Sequence, residues 1–347
     1  MTIDTATVEA ARLLLGQLGL TPDDLRWTPV ITPTFAEYLP IVCAASGPGA
    51  RRTYGTYWTH VLTAFGDRRL DQVTVTDVEI LMRHVMSTHL ERRNTRGGVY
   101  AGEHLLASLR ALYTRAVADG LVDPRLNPAA QVSKPRRPIS TRRALSNAEL
   151  NAINNVAATS GNDTALDTLL LRLHTETACR RSAAIRLQQD DLDEQWCLIQ
   201  LHEKNGNIHW QPASPTLIKA LATHRDHRGT DNPEEPLLRY RDGTPLTTRR
   251  YDHLWTRIGA TLPWVTAQGI STHWLRHTTI TWVERHFGYG IARAYAGHAS
   301  TKGTATTTYI RGRTHEIATA LTILTGETHP YLQGLSQERC FRPDTPG

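Results

Sequence analysis

A mainly α fold in two units, the second interrupted by one small antiparallel β element, follows from three observations. Helical hydrophobic periodicity runs through most of the chain, a Pro- and Arg-rich stretch divides it, and the pair Asn205-Gly206 stands between two extended segments. A length of 347 residues allows two or three folded units, each with a sizeable core.

The expected order is a helical segment at 1–30, a helical domain at 31–130, a basic linker at 131–146, a second domain at 147–330 and a tail at 331–347. The start, MTIDTATVEAARLLLGQLGL, lacks a basic leader and a small-residue cleavage site, so it reads as a helix and not as a secretory signal. In the first domain Thr34 opens TFAEYLPIVCAAS, Gly49 leads into ARRTYGTYWTHVLTAFG, and Thr76 caps DVEILMRHVMSTHL. Gly98 leads into a fourth helix that stops at Gly120, with Pro124 beyond. Arg51, Arg52, Tyr54, Tyr57 and Trp58 form a basic and aromatic cluster suited to phosphates and sugars; the alternative is that the rings are core and the arginines solvated.

The divider is KPRRPISTRRALS, Lys134 to Ser146, where Pro135 and Pro138 exclude a helix interior. Ser146 and Glu149 then have the spacing of a capping box, so a new unit begins there. Helical patterns follow at 164–175, 214–224, 247–261, 272–287 and 314–324, with a hairpin between Trp196 and Pro212. Along its first strand Cys197, Ile199 and Leu201 alternate with Leu198, Gln200 and His202. Lys204 therefore continues the more polar set.

Charge narrows the function class. Lys and Arg total 39 against 33 Asp and Glu, a net +6, which favours an anionic partner such as nucleic acid. Residues 1–133 carry 13 basic and 13 acidic side chains, 134–146 carry 5 and 0, and 147–347 carry 21 and 20, so the excess sits in the linker. Lys134, Arg136, Arg137, Arg142 and Arg143 thus read as a strap across a phosphate backbone. No apolar run reaches about eighteen residues, which argues against membrane insertion. The four cysteines show neither disulfide nor zinc spacing, so reduced thiols and a cytoplasmic location are expected. His224 and His227 lack the further ligands a zinc site needs.

His-x-x-Arg occurs twice, at His89/Arg92 and His273/Arg276, about as often as chance provides, so the motif alone carries nothing. Its setting in STHWLRHTTITWVERHFG does more, because positions 273, 276, 277 and 280 share one helix face. Gly297-His298 follows in AYAGHAS, Tyr309 in ATTTYIRG, Arg180 comes after an apolar helix in HTETACRRSAAIRLQQDDLD, and Lys204 is one of only four lysines.

In this order and spacing the elements resemble the tyrosine recombinase, or phage integrase, family over most of the chain. The resemblance implies a SAM-like helical core-binding domain, a basic linker and a catalytic domain of the DNA breaking-rejoining fold. Residue by residue, Thr177-Ala-Cys-Arg180 looks like the first arginine box, Lys204 the hairpin lysine, His273-Trp-Leu-Arg276 the second box, Gly297-His298 the third, and Tyr309 the nucleophile. It further implies strand exchange through a covalent 3′-phosphotyrosine with no cofactor, metal or ATP. The implied partner is double-stranded DNA carrying a specific site, bound by a homo-tetramer on two such sites, at the nucleoid and without a membrane.

Two departures stand out. The family usually has Gly where Ala178 stands and Glu where Ala183 stands, so the carboxylate that supports the first box is missing. The interval from His298 to Tyr309 is also about two residues longer than usual; the other nearby tyrosines, Tyr295 and Tyr331, fit less well. Arg180 is preferred to Arg181 because it is in register with Thr177. A type IB topoisomerase or a non-cutting sequence-specific DNA-binding protein would share much of this pattern. In the family a terminal helix like 314–326 packs on a neighbouring subunit; packing on its own domain is the alternative.

Overall fold

The computed structural model describes residues 4–21, 32–88, 98–137, 142–203, 206–297 and 307–333, with 5, 6 and 307–313 described by backbone alone. The chain divides into two compact units, Met1–Ile139 and Ser140–Gly347.

The first unit holds α1 (Thr5–Gln17), α2 (Phe35–Ala45), α3 (Pro48–Phe65), α4 (Val75–Thr88), α5 (Val99–Ala118) and the single turn α6 (Pro128–Gln131). Its core is built on α5, where Leu105, Leu109, Leu112 and Tyr113 are fully buried against Phe35, Val61, Leu70 and Val78. Each such side chain is worth about 1.5–3 kcal/mol on burial. The Phe35 ring meets Tyr113 edge-on at 6.1 Å, and the Tyr113 hydroxyl donates to the Leu70 carbonyl. Pro40 lies inside α2. The expected cap of α4 shifts by two residues. Thr74, and not Thr76, exchanges hydrogen bonds with Asp77, because side-chain capping closes over three residues and Thr76 adjoins the carboxylate. Gly98 precedes α5 at φ 71°, a conformation its missing Cβ makes cheap.

In the second unit the expected capping box, Ser146 with Glu149, opens α7 (Asn147–Thr159). The unit continues through α8 (Thr164–Thr177), α9 (Arg181–Ile185), β1 (Leu192–Asp193), β2 (Leu198–His202), β3 (Ile208–Pro212), α10 (Pro215–Arg228), α11 (Thr248–Thr261), α12 (Pro263–Ala267), α13 (Thr272–Tyr295) and α14 (Thr307–Thr325). The three strands form one antiparallel sheet in the order β1-β2-β3, with Leu198 opposite Pro212 and His202 opposite Ile208. The hairpin closes where Glu203 N–H donates to Asn207 C=O, with Gly206 at φ 74°; it is a three-residue loop, one longer than the tight turn an Asn-Gly pair most often marks.

The core of this unit gathers Leu166, Leu170 and Leu173 of α8, Ile199 and Leu201 of β2, Leu254 and Ile258 of α11, and Trp274 and Leu275 of α13. Helix α13 breaks at Gly288 (φ 84°), one residue past the predicted end at 287, and resumes to Tyr295. Helix α14 packs against α13, β3 and α8 and buries Ile317, Ala318, Ala320 and Leu321 within its own unit. Packing on its own unit is therefore the alternative that holds for these four residues. Among the described residues no helix is long and apolar enough to cross a membrane.

Candidate active site

The first arginine box is a turn held from below. After α8, Ala178 adopts a left-handed conformation (φ 51°), which explains why glycine suits this position: an L-residue there costs about 1–2 kcal/mol. The Thr177 hydroxyl accepts from Cys179 N–H at 3.2 Å and donates to the Leu173 carbonyl at 2.6 Å. Beneath, fully buried His174 donates from Nδ1 to Cys179 C=O at 3.1 Å and accepts at Nε2 from the Tyr251 hydroxyl at 3.0 Å. That pairing requires a neutral imidazole, and burial, reinforced by Arg181 and Arg276, pushes its pKa down to about 4. Burial also pushes the Cys179 thiol up to about 12, so it is inert packing.

Arg180 leaves this turn in an extended conformation as the N-cap of α9. Its Nη1 donates to Glu203 Oε2 at 2.5 Å; the arginine side chain is 38% exposed and that of Glu203 only 2%. Arg181 points elsewhere, to Asp252 at 3.3 Å in an exposed pair, as a surface arginine would.

Arg276, on the inward face of α13, is buried. Its Nη1 donates to the Ala178 carbonyl, and its Nη2 to the Ala296 carbonyl at 2.7 Å. These are the C-caps of α8 and α13, whose unpaired carbonyls carry the negative end of each helix dipole. One planar guanidinium thus ties both helix ends together. Burial first, and the nearby Arg180 second, lower its pKa, while Glu203 opposes them.

His273, one helical turn before Arg276, presents an exposed ring whose pKa is lowered, first by desolvation and then by Arg142, Arg276, His277 and Arg180. It is held towards the neutral, proton-accepting form at pH 7. Arg180, His273 and Arg276, from two separate segments, therefore lie within electrostatic reach of one another.

Gly297, at φ 65°, closes against β3: a Cβ built on it would lie 2.5 Å from His209 Cε1, and Asn207 Nδ2 donates to its carbonyl at 3.3 Å. Only glycine fits. Lys204 and His298 lie outside the described residues, and Tyr309 is described by backbone alone, in the first turn of α14. Tyr295, the alternative, is buried; its hydroxyl donates to Glu176 C=O and burial raises its pKa. Tyr331 instead packs edge-on against Trp196.

The basic residues away from this cluster sit differently. Arg51 donates to the carbonyls of Ser46 and Ala44 at the end of α2, and Arg52 is exposed. Trp58 is core, Tyr54 tilts against it, and Tyr57 stacks on His104, so the rings belong to the fold and the arginines to the surface. Lys134, Arg136, Arg137, Arg142 and Arg143 are all exposed, but Arg137 pairs with Glu103 and lies over the Tyr100 ring, and Arg143 pairs with Glu149. Glu203 was not singled out from sequence. The signal was an acidic residue at a buried position of the strand alternation.

The architecture is one that solved DNA recombinases share. Lambda integrase, as a tetramer bound to a Holliday junction, superposes with a TM-score of 0.61 at 14% identity, covering 88% of this chain and 91% of that one. The integrase of transposon Tn1549, in complex with a circular intermediate DNA, gives 0.61 at 15%, covering 82% and 99%. At such identities the likeness is one of fold. No curated protein matches the sequence. Residues 143–315 match the family model described as the phage integrase family, and the chain belongs to that family, the tyrosine recombinases.

Proposed function

We propose that the chain is a site-specific DNA recombinase that cleaves and rejoins double-stranded DNA through a phosphotyrosine on Tyr309. The observation that carries the reading is the pair Arg180 and Arg276, held at fixed positions beside His273. The pentacoordinate transition state of phosphoryl transfer gathers charge on its non-bridging oxygens, and preorganised cationic donors stabilise that state above the ground state. Guanidinium groups suit the task because they stay charged and meet phosphate oxygens as a fork.

In this reading the Tyr309 oxygen attacks the scissile phosphorus and its proton passes to His273, which is held towards the neutral form. The bond from phosphorus to the 5′-oxygen breaks, Lys204 protonates that oxygen, and His298 donates to a non-bridging oxygen. The tyrosyl ester conserves the bond energy, so a 5′-hydroxyl from another strand attacks it, releases Tyr309 and reseals DNA without ATP. Arg51, Arg52, Lys134, Arg136, Arg137, Arg142 and Arg143 supply phosphate contacts that position the duplex. A tetramer on two DNA sites is the assembly that exchange requires; lambda integrase forms a tetramer on a Holliday junction.

The test traps SDS-stable protein–DNA adducts from a randomised duplex library with one nick, in EDTA. Adducts that disappear in Tyr309→Phe, with a common sequence among the trapped duplexes, are the expected result. Duplex binding without any adduct would overturn the reading in favour of a non-cutting DNA-binding protein. Adducts of no common sequence, with plasmid relaxation and no joining of two sites, would move it to a topoisomerase.

A further inference from the structure

Ala183, fully buried in α9, leaves Arg180 without an acidic partner on its own helix, yet Arg180 is not unsupported. We infer that Glu203, just after β2, is the positioning residue that holds Arg180 in its working orientation, a carboxylate supplied from the hairpin instead of from the arginine's own helix. The inference rests on the function proposed above.

Three observations carry it. Glu203 Oε2 accepts from Arg180 Nη1 at 2.5 Å, a charge-assisted contact across 23 residues of sequence. The carboxylate is almost wholly buried while the arginine is 38% exposed, so the buried anion fixes one edge of the guanidinium and leaves its other face to solvent, where a phosphate would enter. The second carboxylate oxygen, Oε1, is buried without a hydrogen-bond partner among the described residues. A buried acceptor left open in this way is costly for a merely structural salt bridge. Its position beside two arginines gives it a use, since Glu203 offsets the mutual repulsion of Arg180 and Arg276. Glu203 also adjoins Lys204 in sequence and directly follows β2, so one short segment carries both the brace of the first arginine and the proposed proton donor.

The experiment measures the first-order rate of adduct formation on the duplex recovered by trapping with the unaltered protein, together with duplex affinity and thermal unfolding. Glu203→Gln, close in shape, is expected to slow adduct formation by about 100-fold, as for a catalytic group displaced by about 1 Å, with affinity within about threefold and a folded protein. Glu203→Asp should recover part of the rate. In an Arg180→Ala background, Glu203→Gln should add almost nothing, because a residue acting only through Arg180 has no effect once Arg180 is gone. An unchanged rate in Glu203→Gln, or an additive loss in the double variant, would overturn the inference. Absence of any adduct with the unaltered protein would instead overturn the proposed function on which it rests.

Discussion

The arginines around the second-unit site and those of the linker and first unit carry the same charge but are held in opposite ways. Arg276 is buried with two carbonyls capped by one guanidinium, and Arg180 is braced by a buried carboxylate. Arg52, Lys134 and Arg136 stand in solvent, and where Arg137 and Arg143 find partners they do so across exposed ion pairs. On the function proposed above, the difference separates two uses of positive charge. A donor aimed at a transition state must have its direction fixed before substrate arrives, whereas a cation that neutralises a phosphate backbone needs only to be near it.

The largest test of this contrast is Arg276→Ala or Arg180→Ala against Arg136→Gln. Either of the first two should lower the adduct-forming rate by at least 100- to 1000-fold, measured by single-turnover gel assay, with duplex affinity nearly kept. Arg136→Gln should leave the rate of bound protein unchanged. A rate loss of equal size in all three variants would erase the distinction.

Next in size is the acid sensitivity of the turn that carries Arg180. His174 has a folded pKa near 4 against an ordinary 6.5, so the unfolded chain takes up the proton first. Its contribution to stability is complete above about pH 6.5, falls as pH is lowered, and by pH 4 has lost roughly 3 kcal/mol. His224, whose Nε2 accepts from Arg239 N–H, is also held near 4 and adds to the same slope. Denaturant unfolding from pH 7.5 to 4 should show this decline, and His174→Gln should flatten it. An unchanged slope in that variant would mean that the ring is not kept neutral.

A smaller effect concerns the linker. Replacing Lys134 or Arg136 by Gln should each reduce the slope of log affinity against log salt by about one. Arg137→Gln and Arg143→Gln should reduce it less, because Glu103 and Glu149 already engage those side chains. Equal reductions across all four would show that the ion pairs open on binding.

The smallest is Ala178→Gly. Relief of the left-handed conformation is worth about 1–2 kcal/mol, offset by loss of a buried methyl at about 0.8, so thermal unfolding should shift upwards by the equivalent of about 0.2–1.2 kcal/mol.

What the sequence made legible was local. Ser146 with Glu149, Gly98 and the hairpin each sit where a few neighbouring residues decide the backbone; the helices expected at 164–175 and 247–261 fell close to their observed limits, whereas α14 starts seven residues before the expected 314 and α13 runs on to Tyr295. Thr76 misled because two threonines precede Asp77 and only the three-residue spacing from Thr74 closes the cap. The second-unit site was partly legible, since residue order places Arg180, His273 and Arg276, but their supports were not. The partners of Arg276 are backbone carbonyls, which leave no mark in sequence, and Glu203 reaches Arg180 only because β2 passes beside α9. Ala183 alone pointed to a missing carboxylate; only the fold shows where another stands.

The contact between Gly297 and His209 has a steric consequence. With no side chain to act as a spacer, and with Asn207 bonded to its carbonyl, residue 297 rides directly on β3. A hydrogen bond and a close approach thus join the end of α13 to the start of β3, so the hairpin and Gly297 share one local packing contact. Two parts of the chain separated by 90 residues are thereby tied, and a bulkier residue at 297 would have to displace the His209 ring from its place.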